Sequence, residues 1–349
     1  MKFFNRNLSI SGNTKSKVTA LLLLATAMFN LNSFAENKPK EVNIGVQTLI
    51  TPELVTRAEK KYQEYLGVKV NLLQFNSGQD MNQAFAAGKL DFGFCGSTPI
   101  AVGLSNGIEY EVIWYNDVIG NAERLVVKEK ANINSLADLA GKKIATPFST
   151  TTHYSLLSAL KKENIDASKI QIIDLTPQGI YAAWTRGDID GAYVWDPVLS
   201  NISKDGGKSI LSSAELSKDG VVTADLTIVS KKFAKNYPEF VEKYLTAQIY
   251  GLEKFQNNQE EAIKSIATVA GISTEDAKNQ TQGFIYPDAK TQISAEYLGG
   301  KEKGKLAEVL YSTAKFLEEQ KAIEKAPDLS VFQAGINGEY LERVVEKNK

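Results

Sequence analysis

The 349-residue sequence contains one cysteine, Cys95, and one histidine, His153. A disulfide framework and a zinc site built from Cys and His ligands are therefore excluded. Forty basic residues stand against 41 acidic ones without a strongly basic block, so the basic stripe that is typical of nucleic-acid-binding proteins is missing. We expect no metal, no cofactor and no nucleic-acid partner.

Long apolar runs are also scarce. The run at residues 18–29 is shorter than the roughly 20 residues that cross a membrane, which argues against the alternative of a membrane anchor. Basic residues without an acid precede it, and small residues occupy the cleavage positions at Ser33 and Ala35. This pattern predicts a signal peptide at residues 1–35 with cleavage after Ala35. With no cysteine at that point for a lipid anchor, we expect an exported, soluble protein of the periplasm.

Segments typical of strands and helices alternate in the first half of the chain. Strands are predicted at residues 42–46, 68–75 and 90–94, and helices at residues 52–65 and 80–87 and from Thr98 onward. Such alternation favours an α/β protein with a mostly parallel sheet and helices on both faces. After about residue 236 the pattern is helical, with apolar stripes around Phe240 and Leu306 that predict core packing.

An internal repeat is the most informative feature. Residues 84–94 and residues 183–193, offset by 99 positions, each contain a helix end, a glycine, an apolar residue before Asp, and a strand of small and aromatic residues. Residues 42–46 match residues 143–146 in the same way. Unless the match is chance, two α/β units of similar build predict two lobes, with a ligand held between strand ends and helix starts.

The predicted helix starts are rich in hydroxyl groups. Ser77, Ser97 and the four hydroxyl residues 149–152 stand at such starts. Capping of the first backbone N–H groups is one explanation and suffices for Ser77. Four consecutive hydroxyls exceed what one cap requires, and with the positive end of the helix dipole they favour an oxyanion. Without Lys or Arg, this arrangement suits a singly charged anion.

Two acids lie inside apolar segments that read as strands. Glu123 and Asp225 would be costly to bury unless each is paired. Arg124 or a lysine could pair with Glu123, whereas the nearest basic residue before Asp225 is Lys218. A ligand ammonium group is a second possible counter-ion. Anion sites and carboxylates in one cleft would select a zwitterion.

Two stretches carry a family resemblance. Residues 145–157 (ATPFSTTTHYSLL) and 180–197 (IYAAWTRGDIDGAYVWDP) closely resemble the taurine-binding periplasmic proteins of bacterial ABC importers, and a weaker resemblance extends from residue 42 to about 340. The GDIDGA pattern alone is common to the wider family for alkanesulfonates, nitrate and thiamine precursors.

The resemblance implies a two-lobed periplasmic-binding-protein fold of type II, with two strands crossing between the lobes. One lobe would contain residues 36–123 and 227–349, and the other residues 124–226. The implied partners are taurine or a related small sulfonate and a membrane permease with its ATPase subunit. The protein itself would be a monomer.

The same resemblance implies the ligand-binding residues. The sulfonate would lie near Ser97, Thr98, Thr151, Thr152 and His153, the ammonium group near Glu123 and Asp225, and Gln47 and Trp195 would close the pocket. The family often has serine where Thr98 and Thr150 stand, so the extra methyl groups affect the pocket volume.

Alternatives remain at the level of the sequence. His153 could make ordinary hydrogen bonds at a helix start, donate to the sulfonate, or act as a base, although no arrangement for a nucleophile is visible. Cys95 is expected to be a buried thiol. The predicted function is taurine capture for import, without catalysis. The alternatives are another alkanesulfonate as ligand, or an enzyme built on the same two-lobed fold.

Overall fold

A computed structural model describes residues 38–347, so the predicted signal peptide lies outside the described residues. Within this part of the chain eleven strands form two sheets, and the mixed α/β class is as predicted. The strands are β1 (Glu41–Val46), β2 (Lys69–Gln74), β3 (Phe92–Gly96), β4 (Tyr110–Ile119), β5 (Glu123–Lys128), β6 (Lys143–Thr146), β7 (Gln171–Asp174), β8 (Gly191–Trp195), β9 (Gly207–Ser212), β10 (Ala224–Ser230) and β11 (Phe284–Ile285).

Sixteen α-helices accompany these strands between residues 38 and 347. They are α1 (Glu53–Ala58), α2 (Lys61–Leu66), α3 (Gly78–Ala86), α4 (Ser97–Ser105), α5 (Thr151–Lys162), α6 (Pro177–Arg186), α7 (Val198–Lys204), α8 (Ser213–Ser217), α9 (Lys231–Asn236), α10 (Pro238–Asn257), α11 (Gln259–Ala270), α12 (Thr274–Thr281), α13 (Ala289–Gln292), α14 (Leu306–Glu319), α15 (Leu329–Ala334) and α16 (Glu339–Lys347). None of the helices in this range combines the length and apolar character that crossing a membrane requires.

The chain passes between the two sheets twice. The first sheet has the order β11-β4-β10-β3-β1-β2, and the second has the order β7-β6-β8-β5-β9. The chain leaves the first sheet after β4, through residues 120–122, and returns to it at β10, through residues 213–223. The lobe boundaries near Glu123 and Asp225 stay a prediction, and this strand membership supports them.

The internal repeat corresponds to a repeated strand arrangement. In the first sheet β1 lies between β2 and β3 with all three parallel, and β10 is antiparallel to β3. In the second sheet β6 lies between β7 and β8 in the same parallel way, and β5 is antiparallel to β8. Gly88 and Gly187 follow the equivalent helices with φ of 65° and 83°, a left-handed conformation that glycine adopts without steric cost.

The helix predicted over residues 52–65 is wrong in one respect. The structure divides it into α1 and α2, with Lys60 in the left-handed conformation between them. Leu54 of α1 packs in a cluster with α11, whereas Tyr62 of α2 packs in the main core under the first sheet. The break allows each half to bury its apolar side chains in a different cluster.

The predicted C-terminal stripes form core, as expected. Phe240 of α10 and Leu306 of α14 are buried in the main core, together with Phe92 of β3. Pro238 occupies the first turn of α10, where its missing N–H costs no hydrogen bond. These helices support the first sheet and so hold the ends of its strands in place.

Candidate functional site

A cavity lies where the ends of strands from both sheets meet. Its empty space, including the mouth, is about 390 Å³. Glu123 of β5 and Trp195 of β8 come from the second sheet, and Asp225 of β10 from the first. The lining residues are Gln47, Leu49, Gly78, Gly96, Pro99, Ile119, Glu123, Thr150, Thr151, Trp195, Asp225 and Phe284.

Three helices begin at this cavity. Gly78 starts α3, Gly96 is the N-cap of α4, and Thr151 starts α5, and all three residues line the cavity. Helix starts leave backbone N–H groups without intrahelical partners and carry the positive end of the dipole. No lysine or arginine is among the described lining residues. The arrangement can bind an oxyanion through backbone N–H donors.

The absence of a side chain at Gly96 brings two of these helix starts together. A Cβ atom added at Gly96 would lie 2.7 Å from Cγ2 of Thr151, closer than such atoms approach in proteins. Glycine therefore allows the end of β3, a strand of the first sheet, to pack against the start of α5, which follows β6 of the second sheet. This contact places backbone N–H groups of α4 and α5 at one small cavity.

Two buried carboxylates, Glu123 and Asp225, share this cavity. They are 3% and 5% exposed, and no ion pair of residues 38–347 includes either of them. The hydroxyl groups of Thr151 and Ser213 donate hydrogen bonds to Glu123, the latter at 3.2 Å. Burial nevertheless raises the pKa of Glu123 to about 8, and that of Asp225 to about 7. Arg124, considered as a partner of Glu123, forms no ion pair with it in the described chain.

A third acid, Asp117, was missed by sequence reasoning. It lies on β4 opposite Asp225 of β10 and is fully buried. Burial, and next the charge of Asp225, raise the pKa of Asp117 well above its ordinary range. Its sequence signal resembles that of Glu123 and Asp225, because it too is an acid inside a largely apolar strand.

Five of the nine predicted ligand residues line the cavity, and four do not. Ser97, Thr98, Thr152 and His153 lie outside the lining. The Ser97 hydroxyl oxygen accepts a hydrogen bond from the Ala224 N–H at 3.3 Å, and the buried Thr98 hydroxyl has no partner among residues 38–347. The ligand-binding role of all nine residues stays a prediction.

The hydroxyl groups of the threonines in residues 149–152 have different hydrogen-bond partners. Thr150 caps α5 by accepting the His153 N–H at 3.4 Å, and it also lines the cavity. The Thr152 hydroxyl shares hydrogen bonds of 2.9 Å with the hydroxyls of Thr146 and Thr150. Thr151 is the member of the row that both faces the cavity and contacts Glu123. Ser77, in turn, caps α3 as expected.

His153 and Cys95 are both buried away from the lining. The His153 ring stacks on Phe148 with centroids 4.3 Å apart, and its Nδ1 accepts the Ser149 N–H at 3.4 Å. Burial lowers the pKa of His153 to about 4, so the imidazole is neutral near pH 7. Cys95 has no exposed surface, in agreement with the predicted buried thiol.

The apolar lining carried no recognisable signal in the sequence. Leu49, Pro99, Ile119 and Phe284 line the cavity, yet each reads as an ordinary core or turn residue. Only the meeting of strand ends from two sheets gives them this position. Within residues 38–347 no group of three or more His, Cys, Asp or Glu side chains is arranged to hold a metal ion.

Comparison with known proteins gives sequence relatives along most of the chain. The model of the NMT1-like family matches residues 35–271. The "Taurine-binding periplasmic protein" of Escherichia coli (strain K12) is 36% identical over 305 residues, which cover 86% of this chain and 91% of that protein. A "Putative aliphatic sulfonates-binding protein" of Bacillus subtilis (strain 168) is 27% identical over 231 residues, or 65% and 69% of the two chains.

A solved structure matches the fold. The alkanesulfonate-binding protein SsuA from Xanthomonas axonopodis pv. citri, bound to MOPS, superposes with a TM-score of 0.72 at 20% identity, covering 86% of this chain and 98% of that one. The two-sheet α/β architecture described above is thus that of a periplasmic binding protein, as the sequence predicted. Because the family model matches residues 35–271, more than half of the sequence, the chain belongs to the NMT1-like family.

Proposed function

We propose that this protein captures taurine in the cavity and presents it to the permease of an ABC importer. One observation carries the proposal: the carboxylates of Glu123 and Asp225 share a small cavity with three helix starts, and no side-chain cation of residues 38–347 lines it. An arrangement with donors for an anion and acceptors for a cation fits a compact zwitterion. Taurine carries a sulfonate and an ammonium group on a two-carbon spacer.

The sulfonate end is held by neutral donors. Backbone N–H groups at the starts of α3, α4 and α5 supply them. A sulfonate carries a single charge and is weakly hydrated, so dipoles suffice to replace its water. A phosphate dianion would more often bring in an arginine.

The ammonium end is held by Asp225 and Glu123. A buried carboxylate without a cation is unfavourable, and a ligand ammonium group would remove this cost. Trp195 and Ile119 line the cavity and supply apolar surface for the two-carbon spacer. Excluding water there lowers the local dielectric constant and strengthens both charged contacts.

Closure of the two lobes on the ligand follows from the same geometry. Trp195 and Glu123 belong to strands of the second sheet, whereas Asp225 belongs to the first. A ligand that contacts both groups stabilises the arrangement in which they are close, and thereby shifts an equilibrium between open and closed forms.

Relatives support the location and the partner. The E. coli relative is named as a periplasmic protein, and a relative from Brachyspira hyodysenteriae is named as a putative ABC transporter periplasmic binding protein. Together with the predicted signal peptide, these names support a periplasmic protein that works with a membrane permease and its ATPase subunit. That it acts as a monomer stays a prediction. An enzymatic role finds less support, since the two most reactive side chains, Cys95 and His153, lie outside the lining.

The proposal is tested by titrating ligand-free mature protein with matched ligands. Taurine, ethanesulfonate, isethionate, nitrate and sulfate would be compared by tryptophan fluorescence, because Trp195 lines the cavity. We expect ethanesulfonate, which lacks the amine, to bind at least about 10-fold more weakly than taurine, since a buried carboxylate then stays unpaired. Equal affinities, or a preference for nitrate, would overturn the taurine assignment. Recovery of taurine unchanged after incubation separates a binding protein from an enzyme.

A further inference from the structure

Asp117 stands beside the cavity without lining it. It faces Asp225 directly across the ladder between β4 and β10, so their Cβ atoms lie about 5 Å apart on the same face of the sheet. Ile119, two residues further along β4, shares that face and lines the cavity. The Asp117 carboxyl is therefore a neighbour of the Asp225 carboxyl at the cavity wall.

Nothing in the described chain neutralises this pair. The side chain of Asp117 is fully buried, and its polar contact among residues 38–347 is with Asp225. The ionisable groups that face the pair are Glu123 of β5, Cys95 of β3 and Tyr286 after β11. None of these can carry a positive charge. Two ionised carboxylates in such surroundings would repel each other.

A single proton resolves this conflict. A protonated carboxyl is a hydrogen-bond donor and an ionised one is an acceptor, so one proton would supply a hydrogen bond between Asp117 and Asp225. Burial raises the pKa of both groups, that of Asp225 to about 7. The pair therefore titrates as a unit and retains a proton near neutral pH while no cation is close.

We propose that Asp117 is a specificity-determining residue: with Asp225 it forms a carboxyl pair that holds a proton in the empty cavity and releases it when a primary ammonium group binds. The inference rests on the proposed function and adds to it. The ammonium group keeps its own protons, and the carboxyl proton passes to water or buffer. The positive charge that enters is balanced by the proton that leaves.

Selection of the ligand then depends on pH in a defined direction. As pH falls, protons compete with the ammonium group for the pair, so the affinity for taurine decreases. Ethanesulfonate has no cation to exchange, and its affinity does not gain from deprotonation of the pair. The preference for taurine over ethanesulfonate thus grows as pH rises towards the pKa of the pair.

Calorimetry of the mature protein measures the exchange. Taurine and ethanesulfonate would be titrated at about pH 6 in cacodylate and in bis-Tris, whose ionisation enthalpies differ. We expect at least about one proton released per taurine, to which Glu123 adds because burial also raises its pKa, and none per ethanesulfonate. Sulfonate buffers are avoided because a structural relative holds MOPS. From about pH 5 to 7 the ratio of the two affinities should rise up to about tenfold per pH unit.

Variants assign the proton. Asp117→Asn supplies a permanent amide donor to Asp225, so it should release about one proton fewer per taurine than the unmodified protein and have a flatter pH profile. Asp91→Asn is the matched control: burial raises the pKa of Asp91 too, but it accepts the Asn43 N–H at 2.8 Å, outside the cavity lining. Proton release by this control should equal that of the unmodified protein.

The outcomes separate the two proposals. Taurine binding without proton release in the unmodified protein would overturn this inference and leave the proposed function standing, whether or not Asp117→Asn folds. Release that is unchanged in a folded Asp117→Asn variant would overturn it as well. Failure of the unmodified protein to bind taurine at any pH would instead overturn the proposed function, and this inference with it.

Discussion

Two buried glutamates with the same exposure, 3%, have opposite surroundings. Glu53 on α1 forms an ion pair with Arg57 at 2.7 Å and accepts a hydrogen bond from the Tyr62 hydroxyl at 2.8 Å. Gln248 in turn donates to Tyr62 at 2.9 Å. Glu123 at the cavity has hydroxyl donors but no cation.

The difference shows how this chain treats buried charge. Away from the cavity the charge of Glu53 is compensated by the chain itself, and a network of hydrogen bonds fixes its position. At the cavity, no cation among residues 38–347 pairs with Glu123 or Asp225, and we propose that the ligand compensates their charge. A buried acid without a cation thus indicates a ligand, whereas a buried acid with its own cation and hydrogen-bond donor indicates structure.

Asp225→Asn, which removes the charge of a cavity acid, should produce the largest effect, and this effect is on taurine affinity. Removing the charge should weaken taurine binding by about 10- to 100-fold, the loss expected for a hydrogen bond to a charged group. Ethanesulfonate binding should change little, and the ligand-free protein should not lose stability, since no ion pair is broken. Calorimetry and thermal unfolding measure the two quantities. Equal losses for both ligands would make Asp225 a structural residue.

Tyr62→Phe tests the structural role of Glu53, the buried acid away from the cavity. The variant leaves an oxygen of Glu53 buried without its donor, which should lower the free energy of unfolding by about 2 kcal/mol. Taurine affinity should stay within about twofold, because Tyr62 does not line the cavity. Urea unfolding, with taurine titration as the control, provides the measurement. A binding loss as large as that of Asp225→Asn would refute the separation of the two sites.

Gly96→Ala should impair binding through shape alone. The added Cβ would meet Cγ2 of Thr151 at 2.7 Å, which pushes apart two of the helix starts that we propose to hold the anion. We expect about a tenfold loss of affinity for taurine and for ethanesulfonate alike, because both carry the sulfonate. The double variant with Thr151→Ser removes the methyl group that clashes and should recover much of the loss. No recovery would mean that the contact does not position the site.

The smallest effect concerns the pH dependence of stability. A carboxyl whose pKa is raised by folding stabilises the protein below its ordinary pKa and loses this contribution as pH rises through the raised value. For Glu123 this window runs from 4.5 to about 8, and for Asp225 from 3.8 to about 7. His153 acts in the opposite direction on the acid side, between its ordinary value of 6.5 and about 4.

Above pH 6.5, therefore, the carboxyls dominate. The melting temperature of the ligand-free protein should fall by at least about 2 °C between pH 6.5 and 8.5, and taurine should reduce the fall. Glu123→Gln should flatten the profile, since the amide does not ionise. Thermal scans at a series of pH values make the comparison. A melting temperature that rises over this interval would contradict the unpaired state of the cavity acids.

Much of the architecture could be predicted because its signals are local. The glycine after each repeated helix, the apolar–Asp pair and the short strands recur at Gly88 and Gly187, and the structure uses them in equivalent places. Glu123 and Asp225 stood out as acids among apolar neighbours. Such features require only a few consecutive residues to be recognised.

What could not be predicted depends on distant parts of the chain. Asp117 becomes a neighbour of Asp225 only through the register of β4 and β10, which are far apart in sequence. Thr152 lies outside the cavity lining, and its hydroxyl bonds those of Thr146 on β6 and of Thr150, the cap of α5. The interruption at Lys60 reflects two separate apolar clusters, neither visible within residues 52–65.

The starts of α3, α4 and α5 would form the proposed sulfonate end of the cavity mostly from main-chain N–H groups. The positions of these N–H groups depend on the path of the main chain, so side-chain substitutions that leave this path unchanged do not remove them. The proposed ammonium end, by contrast, depends on a few acidic side chains. Replacing those acids, in evolution or by design, would favour the binding of sulfonates with uncharged tails, because the backbone donors for the sulfonate would remain.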